Sequence, residues 1–179
     1  MSNQEFEVLK SEDFDSMYKL MENSFPPLER RTYENQLKLL SEKYYKLSGI
    51  KDDIGNVTAF LASWEFEEFN FIEHFAVDSK MRGGGVGTKI LRYYLNKSNK
   101  PVYLEVELPN TELAVRRIEF YKRLGFSLNE YDYLQPPLEN GYDLLPLKVM
   151  SYPKEVNEEK FKLFRNSIYT NVYRTEIKF

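Results

Sequence analysis

The chain has 179 residues, 42% of them hydrophobic and 30% charged, a balance that supports a packed core under a solvated surface. Cysteine is absent and His74 is the sole histidine, which excludes a disulfide framework, a thiolate zinc centre and an imidazole metal site, so no metal is expected. A net charge of −3 lacks the basic excess of a general nucleic-acid binder.

Residues 1–10 hold no apolar signal core, and no run of about 18 apolar residues occurs, so a cytoplasmic protein without a membrane partner is expected. Phe6 to Lys10 reads as a short strand. From Asp13 to Phe25 the apolar residues Phe14, Met17, Tyr18 and Met21 recur at helical spacing, with Ser11 as N-cap and Pro26-Pro27 as the stop. Leu28 to Lys43 reads as a second helix, with Leu37, Leu39 and Leu40 on its apolar side. Tyr44 to Ile50 and Val57 to Phe66 form a hairpin across the polar turn from Lys51 to Asn56. Phe69 to Val77, apolar at both parities, predicts a strand buried on both faces. A glycine-rich loop, Asp78 to Gly87, then opens a helix from Thr88 to Lys97.

Pro101 to Leu108 alternates as a strand, and Thr111 to Leu124 is a helix closed by Gly125 at C′. Phe126 to Leu134 and Leu144 to Ser151 make a last strand pair, and Asn157 to Tyr169 a terminal helix. The order β-α-α-β-β-β-α-β-α-β-β describes an α/β chain with one mixed sheet and helices on both faces. Residues 1–179 are expected to form a single domain, with 152–179 as a partly helical C-terminal extension.

A strand that feeds a glycine-rich loop into a helix is an anion site. Glycine lets backbone N–H groups approach a ligand, and the helix N-terminus adds free donors and a positive dipole end. Arg82 adds a full charge, and the set suits a pyrophosphate. The alternative is a plain turn whose glycines satisfy positive φ. A P-loop does not fit, because Gly87 is followed by Thr88-Lys89 with lysine and hydroxyl reversed. A dinucleotide fingerprint belongs at the first strand–helix turn, whereas this loop follows the fourth strand.

Arg82-x-x-Gly85-x-Gly87 does fit one pattern. With Phe120-Tyr121-Lys122-Arg123-Leu124-Gly125-Phe126 downstream, the sequence resembles the GNAT family of N-acetyltransferases. The order of elements extends the likeness over nearly the whole chain. Phe25-Pro26-Pro27-Leu28-Glu29-Arg30-Arg31, Ile72-Glu73-His74 and Gln135-Pro136-Pro137 further resemble a bacterial subset of that family. The likeness implies a mostly antiparallel mixed sheet whose fourth and fifth strands splay. It implies acetyl-CoA as cosubstrate, with Phe75, Ala76 and Val77 pairing with the pantetheine arm. Arg82, Gly83, Gly84, Gly85, Val86, Gly87 and Thr88 would wrap the pyrophosphate. Ala114 departs from the family, which often has Asn there against the cofactor.

The implied reaction is acetyl transfer to a primary amine, on a small molecule or a protein, by direct attack in a ternary complex. It needs a base for the ammonium proton and an acid for the departing thiolate. Glu73, set among the aromatics Phe71 and Phe75 on one strand face, is the leading base; His74 is the second candidate, on the opposite face if the strand is regular. Tyr121 is the candidate acid. Glu105 and Glu107 share a face of the fifth strand and could attract a cationic amine or act as base. Glu29 and Arg30 lie near the family's acceptor loop. A catalytically silent acyl-CoA-binding module and a homodimerising tail remain open alternatives.

Overall fold

The computed structural model describes residues 5–175. Seven strands form one sheet: β1 (Glu7–Val8), β2 (Tyr45–Lys51), β3 (Val57–Glu65), β4 (Asn70–Val77), β5 (Val102–Glu107), β6 (Ser127–Gln135) and β7 (Leu145–Tyr152). Their spatial order is β1-β2-β3-β4-β5-β7-β6, and only the β4–β5 pair is parallel. Parallel neighbours need a crossover, and the helix between them supplies it.

The helices are α1 (Phe14–Ser24), α2 (Tyr33–Lys38), α3 (Val86–Lys97), α4 (Glu112–Arg123) and α5 (Glu158–Asn171). Phe14, Met17 and Met21 of α1 and Phe164 and Ile168 of α5 join Trp64 and Phe71 in one buried cluster. Ile90 and Leu91 of α3 and Ile118 of α4 join Leu61, Ile72 and Leu104 in a second. The sheet therefore has helices on both faces, and β4 contributes to each cluster, as its unbroken apolar run requires.

Two local expectations are corrected. The helix expected over Leu28 to Lys43 is interrupted: Pro27–Glu29 is a 3-10 turn and Arg30 is extended at φ −141° and ψ 158°. Thr32 then caps α2, accepting from the Asn35 amide at 3.3 Å, so the Arg30-Arg31 run is a connection and not a helix face. Within α2, Leu37 is exposed while Gln36 is fully buried, donating to the Tyr45 hydroxyl at 2.7 Å. Ser11 does not cap α1 either. It opens a 3-10 turn in which the Asp13 carboxylate accepts from the Lys10 amide at 2.8 Å. Among the described residues no helix is long and apolar enough to cross a membrane.

Candidate active site

β4 and β5 pair only at Asn70–Val102, Phe71–Tyr103 and Ile72–Leu104, although β4 runs on to Val77 and β5 to Glu107. Past Ile72 the two strands have separated, so the β4 main chain keeps β3 on one side and an open edge on the other. An open edge inside a sheet offers unpaired N–H and C=O groups to an extended ligand. A cleft of about 530 Å³ fills the gap.

A bulge shapes this cleft. In the β3–β4 ladder Ala62 faces His74 and Ser63 faces Ile72, which leaves Glu73 as the extra residue. The alternation of β4 inverts there. Phe71 packs on the α1–α5 side, but Phe75 and Val77 pack on the α3–α4 side. Glu73 and His74 both turn toward the α1 side, where Arg31 and Phe25 meet them. Glu73 thus shares its face with Phe71 and His74, not with Phe75, because the bulge breaks the period of two.

Glu73 is tied on several sides. Its Oε1 accepts from Arg31 Nη2 at 2.7 Å and its Oε2 from Trp64 Nε1 at 3.2 Å. Burial by itself raises the carboxyl's pKa, but the Arg31 guanidinium and His74 outweigh it and hold the group well below the usual carboxylate range. His74 is buried, donates from Nε2 to the Glu29 carbonyl at 2.7 Å, and meets the Phe25 ring edge-on at 4.8 Å. Since a carbonyl only accepts, that ring nitrogen carries the hydrogen.

Glu105 sits differently. Its carboxylate accepts from the Tyr173 hydroxyl at 2.7 and 2.8 Å, from Gln135 Nε2 at 2.5 Å and from the Tyr133 hydroxyl. Burial pushes its pKa up to about 7 against the pull of these donors, and the negative Glu73 adds to the rise. Tyr121, between Phe120 and Phe126, is pushed up to about 12 by burial, with Arg117 acting in the opposite sense.

The glycine loop closes the other end. Asp78 caps a 3-10 turn over Ser79–Met81, and Arg82 Nε donates to the Val77 carbonyl at 3.1 Å. Gly85, at φ 75°, is the N-cap of α3. A Cβ there would meet nothing within 4 Å, so the left-handed backbone and not crowding calls for glycine. The first-turn amides of α3 have no intrahelical acceptor, and Val86, Gly87 and Thr88 line the cleft.

Most residues singled out in the sequence meet here. Glu29, Glu73, His74, Phe75, Ala76, Val77, Glu105, Glu107 and Tyr121 line the cleft with Arg82, Gly83, Gly85 and Val86 to Thr88. Gly84 and Arg30 are not among the lining residues. Arg30 turns back to the Tyr18 hydroxyl at 2.9 Å and the Phe25 carbonyl at 3.2 Å, which fixes the α1–α2 connection. Burial and the facing Glu107 raise the Glu29 carboxyl, while Glu107 itself pairs with Arg117 at 3.1 Å. The partners of Glu105 were not evident in sequence; Gln135 stood out only within the Gln135-Pro136-Pro137 stretch, and nothing in that stretch pointed to Glu105.

The sequence profile of the Acetyltransferase (GNAT) family matches residues 14–126. No protein of curated function matches the chain significantly in sequence. Among solved structures, a GNAT-family protein of Bacteroides thetaiotaomicron superposes with a TM-score of 0.87 at 34% identity, covering 96% of this chain and 99% of its own. The ribosomal-protein-alanine N-acetyltransferase of Escherichia coli gives 0.63 at 17% identity, with 87% of this chain and 97% of that one covered. The spermidine N-acetyltransferase of Vibrio cholerae, solved with CoA and spermine, gives 0.62 at 16%, covering 84% and 95%. The last two share the fold alone. The splayed strands, the glycine loop at the head of α3 and the profile match agree: this chain belongs to the GNAT acetyltransferase family, enzymes that use acetyl-CoA as acyl donor.

Proposed function

We propose that the protein acetylates a primary amine by direct attack in a ternary complex, with Glu105 as base and Tyr121 as the hydrogen-bond donor to the departing sulfur. The observation that carries this reading is the division of labour between two carboxylates lining one cleft. Glu73 is neutralised by Arg31 and held ionised far below neutrality, so it is a poor proton acceptor. Glu105, at about 7, is matched to a proton transfer near neutral pH.

The residues present fit the acyl donor. The open β4 edge from Phe75 to Val77 offers main-chain partners to an extended arm, and Arg82 with the free amides at the head of α3 offers a seat for phosphate charge. Acetyl-CoA supplies an activated thioester carbonyl. As the N–C bond forms and the C–S bond breaks, the amine proton passes to a Glu105 oxygen. Tyr121 keeps its proton through the neutral range, the form that stabilises developing negative charge on sulfur. With a thiol near about 8.5, a phenol this weakly acidic favours donating a hydrogen bond over complete transfer. His74 is left to hold the α1–α2 connection through Glu29. The Glu29 carboxyl lines the cleft beside the Glu107–Arg117 pair and fits an amine on a small molecule or a protein.

The test is release of free thiol from acetyl-CoA across a broad panel of primary amines. The chain has no cysteine, so a thiol reagent reads the product alone. Amine-dependent release supports the reading; acetyl-CoA binding without release for any amine overturns it.

A further inference from the structure

We propose that Tyr173 is a positioning residue for Glu105, fixing its carboxylate in the cleft and favouring the ionised form together with Gln135 and Tyr133, so that the C-terminal segment is part of the active site. The proposal rests on Glu105 serving as the base.

Three separate donors converge on one carboxylate. The Tyr173 hydroxyl lies within 2.7 and 2.8 Å of the two oxygens, so it tethers the group whichever oxygen takes its proton. Gln135 Nε2 donates to Oε2 at 2.5 Å and also to the Tyr173 hydroxyl oxygen at 3.0 Å, which orients that hydroxyl toward Glu105. The Tyr133 hydroxyl donates to Oε1. Tyr173 is itself held: it is buried, its amide donates to the Ile168 carbonyl at 3.0 Å, and the neighbouring Val172 carbonyl accepts from Arg31 at 3.4 Å. None of these three partners falls within residues 14–126, where the family profile matches. The arrangement is supplied by β6 and the turn after α5, outside the stretch that the family profile matches.

The charges around Glu105 explain what the arrangement does. Glu73 on β4 faces it with negative charge, and Tyr169 on α5 and the two bonded tyrosines bring no cation. Arg31 spends its charge on Glu73. Burial and Glu73 alone would leave Glu105 protonated, and a protonated carboxyl cannot accept the amine proton. Donors that bond the ionised form oppose this. Each lost donor should therefore raise the pH at which Glu105 becomes competent.

Tyr173→Phe tests the proposal, because it keeps the ring and removes only the hydroxyl. The first readout is the titration of the Glu105 carboxyl in the free protein, followed by carbon-13 NMR and assigned with Glu105→Gln. The second is the pH–rate profile with a reactive amine. The expected result is a Glu105 titration about one pH unit higher, the acid limb of kcat/KM shifted equally, and an unchanged KM for acetyl-CoA. Activity well below neutrality should fall about tenfold and recover at high pH. An unmoved carboxyl titration overturns the proposal. A moved titration with an unmoved acid limb supports the tethering and removes Glu105 from the role of base. If Tyr173→Phe does not fold, Gln135→Leu deletes another donor, with the same expected direction and the same overturning result.

Discussion

Arg31 Nη2 donates to Glu73 Oε1 at 2.7 Å, and the two side chains are 6% and 2% exposed. The pair joins the α1–α2 connection to the bulge of β4. It converts the carboxylate that sequence nominates as base into a fixed anion.

A buried pair is costly to break from one side, because the remaining charge has no solvent. Arg31→Met should therefore lower unfolding stability by about 3–5 kcal/mol, whereas Arg31→Met with Glu73→Met should recover most of the loss. Urea denaturation of both variants checks this; equal losses would show that the pair is not coupled. The depressed Glu73 carboxyl contributes stability that is fully present above its ordinary value of 4.5 and lost only as pH falls toward its native value.

The two carboxylates should separate kinetically. Glu105→Gln should cost about 10²–10⁴-fold in kcat and abolish the acid limb of the pH–rate profile. Glu73→Gln should cost stability and leave the shape of that profile intact. Tyr121→Phe should lower kcat while the KM for acetyl-CoA stays unchanged, since the phenol is reserved for the transition state. A profile that loses its acid limb in Glu73→Gln and keeps it in Glu105→Gln would return the base role to Glu73.

Glu105 also predicts a pH dependence of stability opposite in sign to that of Glu73. Its native carboxyl, near 7, lies above the ordinary 4.5, so the folded state binds the proton more tightly. Its contribution is fully present below 4.5 and is lost as pH rises through about 7. Relative to Glu105→Gln, the wild-type protein should lose stability across that window. Denaturation midpoints at a series of pH values read the difference directly, and parallel curves would contradict it.

The loop makes a separate demand. Gly85→Asp forces a side chain onto a left-handed backbone at φ 75° and sets negative charge at the head of α3. Acetyl-CoA affinity should drop by at least about tenfold, from charge repulsion at a helix N-terminus alone. Calorimetric titration measures it. Unchanged affinity would mean that the phosphates lie elsewhere.

The sequence by itself determined the order of elements and the place of the glycine loop. Helical and strand periods and the glycine spacing from Arg82 to Gly87 are local signals, decided over a few residues. The family resemblance, carried by that loop and the Phe120 to Phe126 block, needed no coordinates either. Tertiary structure decided the roles of the carboxylates. Glu73 and Glu105 are the same residue type on neighbouring strands, and no local pattern separates them. One became a locked anion because a single-residue bulge turned it toward Arg31, far back in the chain. The other became a group titrating near 7 because Tyr133, Gln135 and Tyr173 reach it from the C-terminal third. A carboxyl's pKa is the sum of its desolvation and its neighbours' charges and donors, and only the folded chain brings those neighbours together.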